Sequence, residues 1–187
     1  MHPSAHSQAA AEILIRDEVP RDGFAREILL DKAFGLNRHR KSSERLREGR
    51  LPAEGLAFTA LRDNVLVGTL RLWDIETGDG RKALLLGPIA ISPTLRSKGL
   101  GGQMIRMALE KAAALGHEAV ILVGDEPYYR RFGFARTQMA GLDMPGPVDP
   151  ARFLGIELRE GALEGAFGLL RPAGRPAPAD APRRKAA

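Results

Sequence analysis

The sequence predicts a mixed α/β fold, a twisted and mostly antiparallel sheet with one parallel strand pair, and two observations predict it. Residues 55–62 (GLAFTALR) and 65–73 (VLVGTLRLW) alternate apolar and polar positions around Asp63-Asn64, the turn chemistry of an antiparallel hairpin. Residues 84–91 and 118–123 are apolar runs joined by a segment of helical spacing, and a helical crossover makes such a pair parallel.

Taken in order, residues 1–10 (MHPSAHSQAA) lack apolar periodicity and are expected to be disordered. Residues 12–18 (EILIRDE) read as a first strand, ended by Pro20. Asp22 is positioned to cap a helix that buries Phe24, Ile28, Leu29 and Ala33 and closes near Gly35. A shorter helix is expected from Ser42 to Glu48, capped by Ser42 or Ser43. After the hairpin, residues 74–82 (DIETGDGRK) read as a polar loop, and Trp73 as a large side chain capping the sheet. The strand at 84–91 contains Gly87-Pro88. Proline offers no N–H to a ladder, so this pair marks a bulge or lost pairing and frees the backbone of Ile89, Ala90 and Ile91.

Leu100, Met104, Met107, Ala108, Ala112 and Leu115 follow at helical spacing and stop at Gly116. Residues 118–123 (EAVILV) lack alternation, as a buried strand does. A short helix spans Pro127 to Phe132 and ends at Gly133; residues 134–139 (FARTQM) are a strand candidate and 141–150 (GLDMPGPVDP) a loop. Residues 153–159 and 165–171 read as a last pair of strands. The expected organisation is one domain over residues 11–171 between two disordered tails, 1–10 and the Pro/Ala/Arg-rich 172–187.

Charge is unevenly placed. The formal net charge is +5, but residues 171–187 hold five basic groups against Asp180, which leaves the rest nearly neutral. That argues against a broad nucleic-acid face. The chain has no cysteine, which excludes disulfides, thiolate metal sites and a cysteine-linked acyl-enzyme. His2, His6, His39 and His117 are scattered, so no metal site is expected. No apolar run is long enough to span a membrane and no signal core is visible, so a cytoplasmic address is expected.

The chemistry concentrates in Arg96, Ser97, Lys98, Gly99, Leu100, Gly101 and Gly102, between the 84–91 strand and the following helix. Three glycines leave backbone N–H groups open to an anion at the positive end of the helix, and Arg96 and Lys98 add charge. A second cluster follows at Tyr128-Tyr129-Arg130-Arg131-Phe132-Gly133-Phe134.

These two motifs resemble the GNAT superfamily of N-acetyltransferases, whose patterns are Q/R-x-x-G-x-G/A between strand and helix and Tyr-x-x-x-Gly-Phe downstream. The phrasing LGPIAISP and ILVGDEPYYRRFGF is most similar to the YhbS-like bacterial branch, and the likeness covers about residues 11–171. It implies a GNAT-like acyl-CoA acyltransferase fold with acetyl-CoA as cosubstrate and an amine acceptor. Arg96 to Gly102 would hold the pyrophosphate, Ile89 to Ile91 the pantetheine, and Tyr129 would protonate the departing thiolate. Tyr128 reads as packing. Members that place a glutamate on the fourth strand differ from this chain, where residues 83–87 are apolar; Asp74, Glu76, Asp125 or a water chain remain as bases. The family's frequent Asn before the tyrosine helix is replaced by the Gly124-Asp125-Glu126-Pro127 turn.

The resemblance also implies that the first helices border the acceptor groove. There Arg38, Arg40, Lys41, Arg45, Arg47 and Arg50 outnumber Glu44 and Glu48, a solvated face or a wall favouring an anionic acceptor. A competing function is an acyl-CoA-binding sensor or interaction protein without turnover. Neither nucleic acid nor membrane is an expected partner, and a homodimer is open.

Overall fold

A computed structural model describes residues 12–178. The expected tail at 1–10 lies outside the described residues.

β1 (Ile13–Asp17) leads through a 3-10 turn at Pro20–Asp22 into α1 (Gly23–Phe34). Asp22 does not cap α1 with its side chain; its carboxylate accepts from the Arg16 guanidinium at 2.7 and 2.9 Å and from the Val19 N–H at 2.9 Å. α1 buries Leu29 and Leu30 against Ala90, while Phe24 is 76% exposed, contrary to the expected face. Ion pairs set the helix's rotation: Arg26 binds Glu18, and Arg38 binds Glu27 and Asp31. Two 3-10 segments, Leu36–Arg40 and Ser42–Leu46, replace the expected second helix.

β2 (Ala57–Arg62) pairs antiparallel with β1 and with β3 (Val65–Glu76). Asp63 and Asn64 turn at φ 50° and 61°, a left-handed geometry that short Asx side chains tolerate and two-residue hairpins need. β3 continues through Asp74, Ile75 and Glu76 to pair with β4 (Lys82–Ile91), so the expected loop shrinks to a tight turn around Gly80.

α2 (Leu100–Ala114) crosses over to β5 (Ala119–Val123), which lies parallel to β4 as expected. Leu100, Met104, Ile105, Ala108 and Ala112 bury against Leu84, Leu86, Val120 and Leu122. Each of the Leu, Ile, Val and Met side chains contributes about 1.5–3 kcal/mol when fully removed from water. α3 (Glu126–Tyr129) runs into a 3-10 turn, Arg130–Phe132, and ends at Gly133 with φ 93°.

The remaining elements depart from expectation. Residues 134–139 form no strand: Ala135 makes a single bridge to Gly155, and the chain coils at Thr137–Met139. Met139 is drawn into a buried cluster with Trp73, Leu85, Ile121 and Phe153, against Gly155, where an added Cβ would lie 2.6 Å from its sulfur. β6 (Leu142–Asp143) follows, then β7 (Phe153–Glu157), antiparallel to β5. Segment 165–171 does not pair with β7. Gly165 and Gly168 sit at φ 66° and 88°, which breaks it into β8 (Gly168–Leu169), parallel to β6, and β9 (Arg171–Pro172), on β3.

The main sheet thus runs β1-β2-β3-β4-β5-β7, with β9 on β3. The ordered domain extends past Pro172: Leu51 N–H donates to Arg175 O, Ala177 N–H to Gly49 O, and the Arg50 guanidinium to Gly174 O at 2.8 Å. No helix among the described residues is long and apolar enough to cross a membrane.

Candidate active site

Leu70 faces Ile89 and Leu72 faces Leu86, so Gly87 and Pro88 together oppose Arg71. This is the bulge that Gly87-Pro88 predicts. On its other edge β4 pairs with β5 only at Leu84↔Val120 and Leu85↔Ile121. From Leu86 onward the parallel strands have parted, and the edge of β4 at Ile89, Ala90 and Ile91 faces no strand from β5.

A buried carbonyl displaced from a ladder needs another donor. At Gly87 it is the Trp73 indole, whose N–H donates at 2.6 Å from a side chain only 7% exposed. Trp73 therefore holds the bulge in shape, a role its isolation in the sequence did not signal. Arg71 lies over the Trp73 ring at 5.6 Å and binds Glu18.

β4 delivers the chain to the entrance of α2. Ser97 and Gly99 adopt φ 62° and 85°, turning the backbone so that α2 begins at Leu100. The N–H groups of Leu100, Gly101 and Gly102 lie in the first turn, without intrahelical acceptors. Arg96, Ser97, Lys98 and Gly99 are exposed, whereas the Leu100 side chain is buried, so Leu100 offers only its backbone. A Cβ added at Gly101 would meet Tyr128 Oη at 3.1 Å and Ile91 Cγ1 at 3.6 Å, and one at Gly102 would meet the Phe132 ring at 3.4 Å. The loop is thus a cradle that side chains would fill, chemically suited to a diphosphate. It also reveals what the sequence concealed: the Tyr128 hydroxyl reaches this loop, although its ring packs edge-on against Tyr129 at 5.0 Å and Phe132 at 5.6 Å.

Tyr129 lies at the open end of the parted strands. Its ring covers Gly124, where an added Cβ would come within 2.2 Å of Cε2, so only glycine fits beneath it. Burial, then the neighbouring Tyr128, push its hydroxyl up to about 12; Asp125 acts in the same direction and Arg152 opposes them. The phenol therefore keeps its proton at neutral pH. Its oxygen makes no hydrogen bond among the described residues and is not sealed in the core.

The three carboxylates considered as bases separate in space. Asp74 and Glu76 face Leu84 and Lys82, and Leu84 is level with Val120. Val120 is four residues of strand from Gly124, roughly 13 Å at 3.3 Å per residue. Asp125, next to Gly124, is close enough to act on Tyr129, and its side chain caps no helix N–H.

The basic segment 38–50 is mostly engaged in structure. Arg38 is buried against Glu27 and Asp31, Arg45 donates to Pro145 O at 2.8 Å, Arg47 binds Glu44 at 2.8 Å, and Arg50 reaches Gly174. Lys41 and Arg40 stay exposed.

A strand that parts from its parallel neighbour before a side-chain-poor helix entrance, with a tyrosine at the gap, is the arrangement that the two sequence motifs implied. The chain matches the Acetyltransferase (GNAT) family over residues 24–134, and it belongs to that family. It is 28% identical over 159 residues to the uncharacterized N-acetyltransferase YhbS of Escherichia coli K12, covering 84% of this chain and 95% of the relative. The crystal structure of E. coli YhbS in complex with CoA superposes with a TM-score of 0.75 at 28% identity, over 89% of this chain and 93% of that one. A GNAT family acetyltransferase from Brucella melitensis in complex with acetyl-CoA gives 0.61 at 25% identity, over 90% and 96%.

Proposed function

We propose that this chain transfers acetyl from acetyl-CoA directly to a primary amine, with Tyr129 as the acid. The carrying observation is the pairing of a protonated, unpartnered Tyr129 hydroxyl with the parted end of β4 and β5. Two relatives that align over most of this chain hold CoA or acetyl-CoA, which supports the same ligand here. The α2 entrance, Arg96 to Gly102, would take the diphosphate through backbone N–H groups and charge. The free edge at Ile89, Ala90 and Ile91 would take the pantetheine amides as an added strand does.

An amine arrives mostly protonated and must lose a proton before it attacks. Asp125 is the carboxylate best situated to accept it, directly or through water. The nitrogen then attacks the thioester carbonyl, the C–S bond breaks, Tyr129 gives its proton to the sulfur, and the second N–H proton of the former amine restores the phenol. With the phenol held at about 12, giving its proton to a thiolate of pKa ~8.5 is uphill in isolation, so the transfer is coupled to C–S cleavage and to the return of the amine's proton to the phenol oxygen.

Tyr129→Phe tests the assignment: kcat should fall at least about tenfold, within the range of proton-transfer catalysis, while CoA affinity stays near wild type. Free-thiol release measured against an amine panel reads kcat, and calorimetry reads affinity. An unchanged kcat would return Tyr129 to a packing role; CoA binding without thiol release for any amine would favour a sensor.

A further inference from the structure

Two segments far apart in sequence are fastened to each other. Ser42 Oγ donates to Pro147 O at 2.5 Å and the Arg45 guanidinium to Pro145 O at 2.8 Å, which fastens the 3-10 turn at 42–46 to the proline-rich loop. Gly146 takes φ 139° under this staple, where an added Cβ would lie 2.8 Å from Ser42 Oγ. The loop then returns to the tyrosine, because the Gly124 N–H donates to Arg152 O at 2.8 Å. Arg152 thus starts from the residue that supports the Tyr129 ring.

Lys41, Arg47 and Arg152 belong to these two fastened segments. Lys41, immediately before Ser42, holds its ammonium 4.8 Å from the Phe34 ring centroid, and its pKa is lowered first by desolvation and then by Arg152 and Arg47. The Arg47 side chain is 9% exposed, and desolvation lowers its pKa against the pull of Glu44, with Arg38 and Arg71 adding repulsion. Arg38 and Arg71 are answered by Glu27, Asp31 and Glu18. Glu44 answers Arg47 and also lies 3.7 Å from His39 Nδ1; Lys41 and Arg152 make no ion pair among the described residues. A fold that sets the exposed Lys41 and Arg152 on one wall, with the nearly buried Arg47 behind, bears their repulsion, which a bound anion relieves.

We propose that the acceptor amine also carries an anionic group, a carboxylate or a phosphate monoester, which binds between Lys41 and Arg152 with Arg47 behind them. The proposal rests on the amine-acetylation reading above. Arg152 also borders a cavity of about 480 Å³ whose lining is mixed in charge, with Asp125, Glu126 and Asp149 beside Arg130 and Arg136. Asp125 would attract the ammonium end of such an acceptor toward Tyr129, while Arg152 and Lys41 hold its acid away from the thioester. The charge pattern of the acceptor, not its length, is what these residues select.

The test uses the full chain and small primary amines matched in pairs: 4-aminobutanoate against butylamine, and O-phosphoethanolamine against ethanolamine. The anionic member of at least one pair should have a kcat/KM at least about tenfold higher, carried by KM and shrinking as salt is raised. Which pair shows it distinguishes carboxylate from phosphate. Lys41→Gln and Arg152→Gln should each collapse that ratio toward one, while Arg62→Gln, a remote surface cation, should preserve it. Equal use of charged and neutral amines, or a preference that survives both substitutions, would overturn the subsite and leave acetyl transfer standing. Calorimetry on the CoA-loaded protein separates the two failures. Anionic amines that bind in a Lys41- and Arg152-dependent way without turnover would uphold the subsite against the transfer reading. No binding and no turnover of either anionic amine into the millimolar range would overturn it.

Discussion

The Trp73 indole donates to the Gly87 carbonyl at 2.6 Å, so the side chain of one strand fixes the backbone of the bulge on its neighbour. The bulge is where β4 turns from a paired strand into an open edge. Trp73→Phe keeps an aromatic ring, smaller than the indole, and leaves the Gly87 carbonyl without its donor. Loss of a buried hydrogen bond should cost about 1–3 kcal/mol in stability, read by denaturant unfolding. The KM for acetyl-CoA should rise several-fold, because the edge that would pair with pantetheine is no longer held. Unchanged KM would show that the bulge keeps its shape without the indole.

Gly124 and Tyr129 are coupled by contact. With 2.2 Å between a would-be Cβ and the ring, Gly124→Ala must displace the phenol. The expected result is a kcat reduced about as far as by Tyr129→Phe, ten- to a hundredfold, with CoA affinity retained. Because the Tyr129 hydroxyl is pushed up to about 12, its ionisation should remove no activity across about pH 7 to 9. A kcat for Gly124→Ala equal to wild type would mean that the ring position is irrelevant to turnover.

Asp22 links β1, α1 and β2 through Arg16, the Val19 N–H and Thr59. The Arg16 hydrogen bond, the largest influence, helps hold its carboxyl at about 2, below the ordinary 3.8. Its contribution to stability is therefore complete above about pH 4 and is lost as pH falls through about 2. Asp22→Asn should lower stability at neutral pH and flatten the acid limb of the stability profile in that window. An acid limb identical to wild type would assign acid unfolding to other carboxylates.

Much of this architecture was legible because it is local. The Asp63-Asn64 hairpin, the Gly87-Pro88 bulge and the glycine-rich entrance of α2 each follow from the backbone freedom of a few adjacent residues. The failures were non-local. Residues 134–139 look like a strand, yet Met139 finds its place against Gly155, and that contact coils the segment. Segment 165–171 alternates acceptably, but Gly78 and Gly168 approach so closely that an added Cβ at Gly78 would lie 2.7 Å from Gly168 Cα, and the chain breaks into two short strands there. At the site, the motifs pointed to the α2 loop and Tyr129. The Tyr128 hydroxyl at Gly101, the Trp73 support of the bulge and an Arg152 without an ion pair among the described residues depend on distant segments meeting, which no spacing reveals.

The central claim is that the bulged strand and the glycine entrance of α2 together bind coenzyme A. Titration calorimetry of wild type and Gly101→Glu with CoA tests it most directly, with circular dichroism confirming that both are folded. A Cβ at Gly101 already meets Tyr128 Oη at 3.1 Å, and a carboxylate there would repel the diphosphate. The account predicts saturable heat for wild type and none for the folded variant; no heat from wild type well into the millimolar range, or equal heat from both, would contradict it.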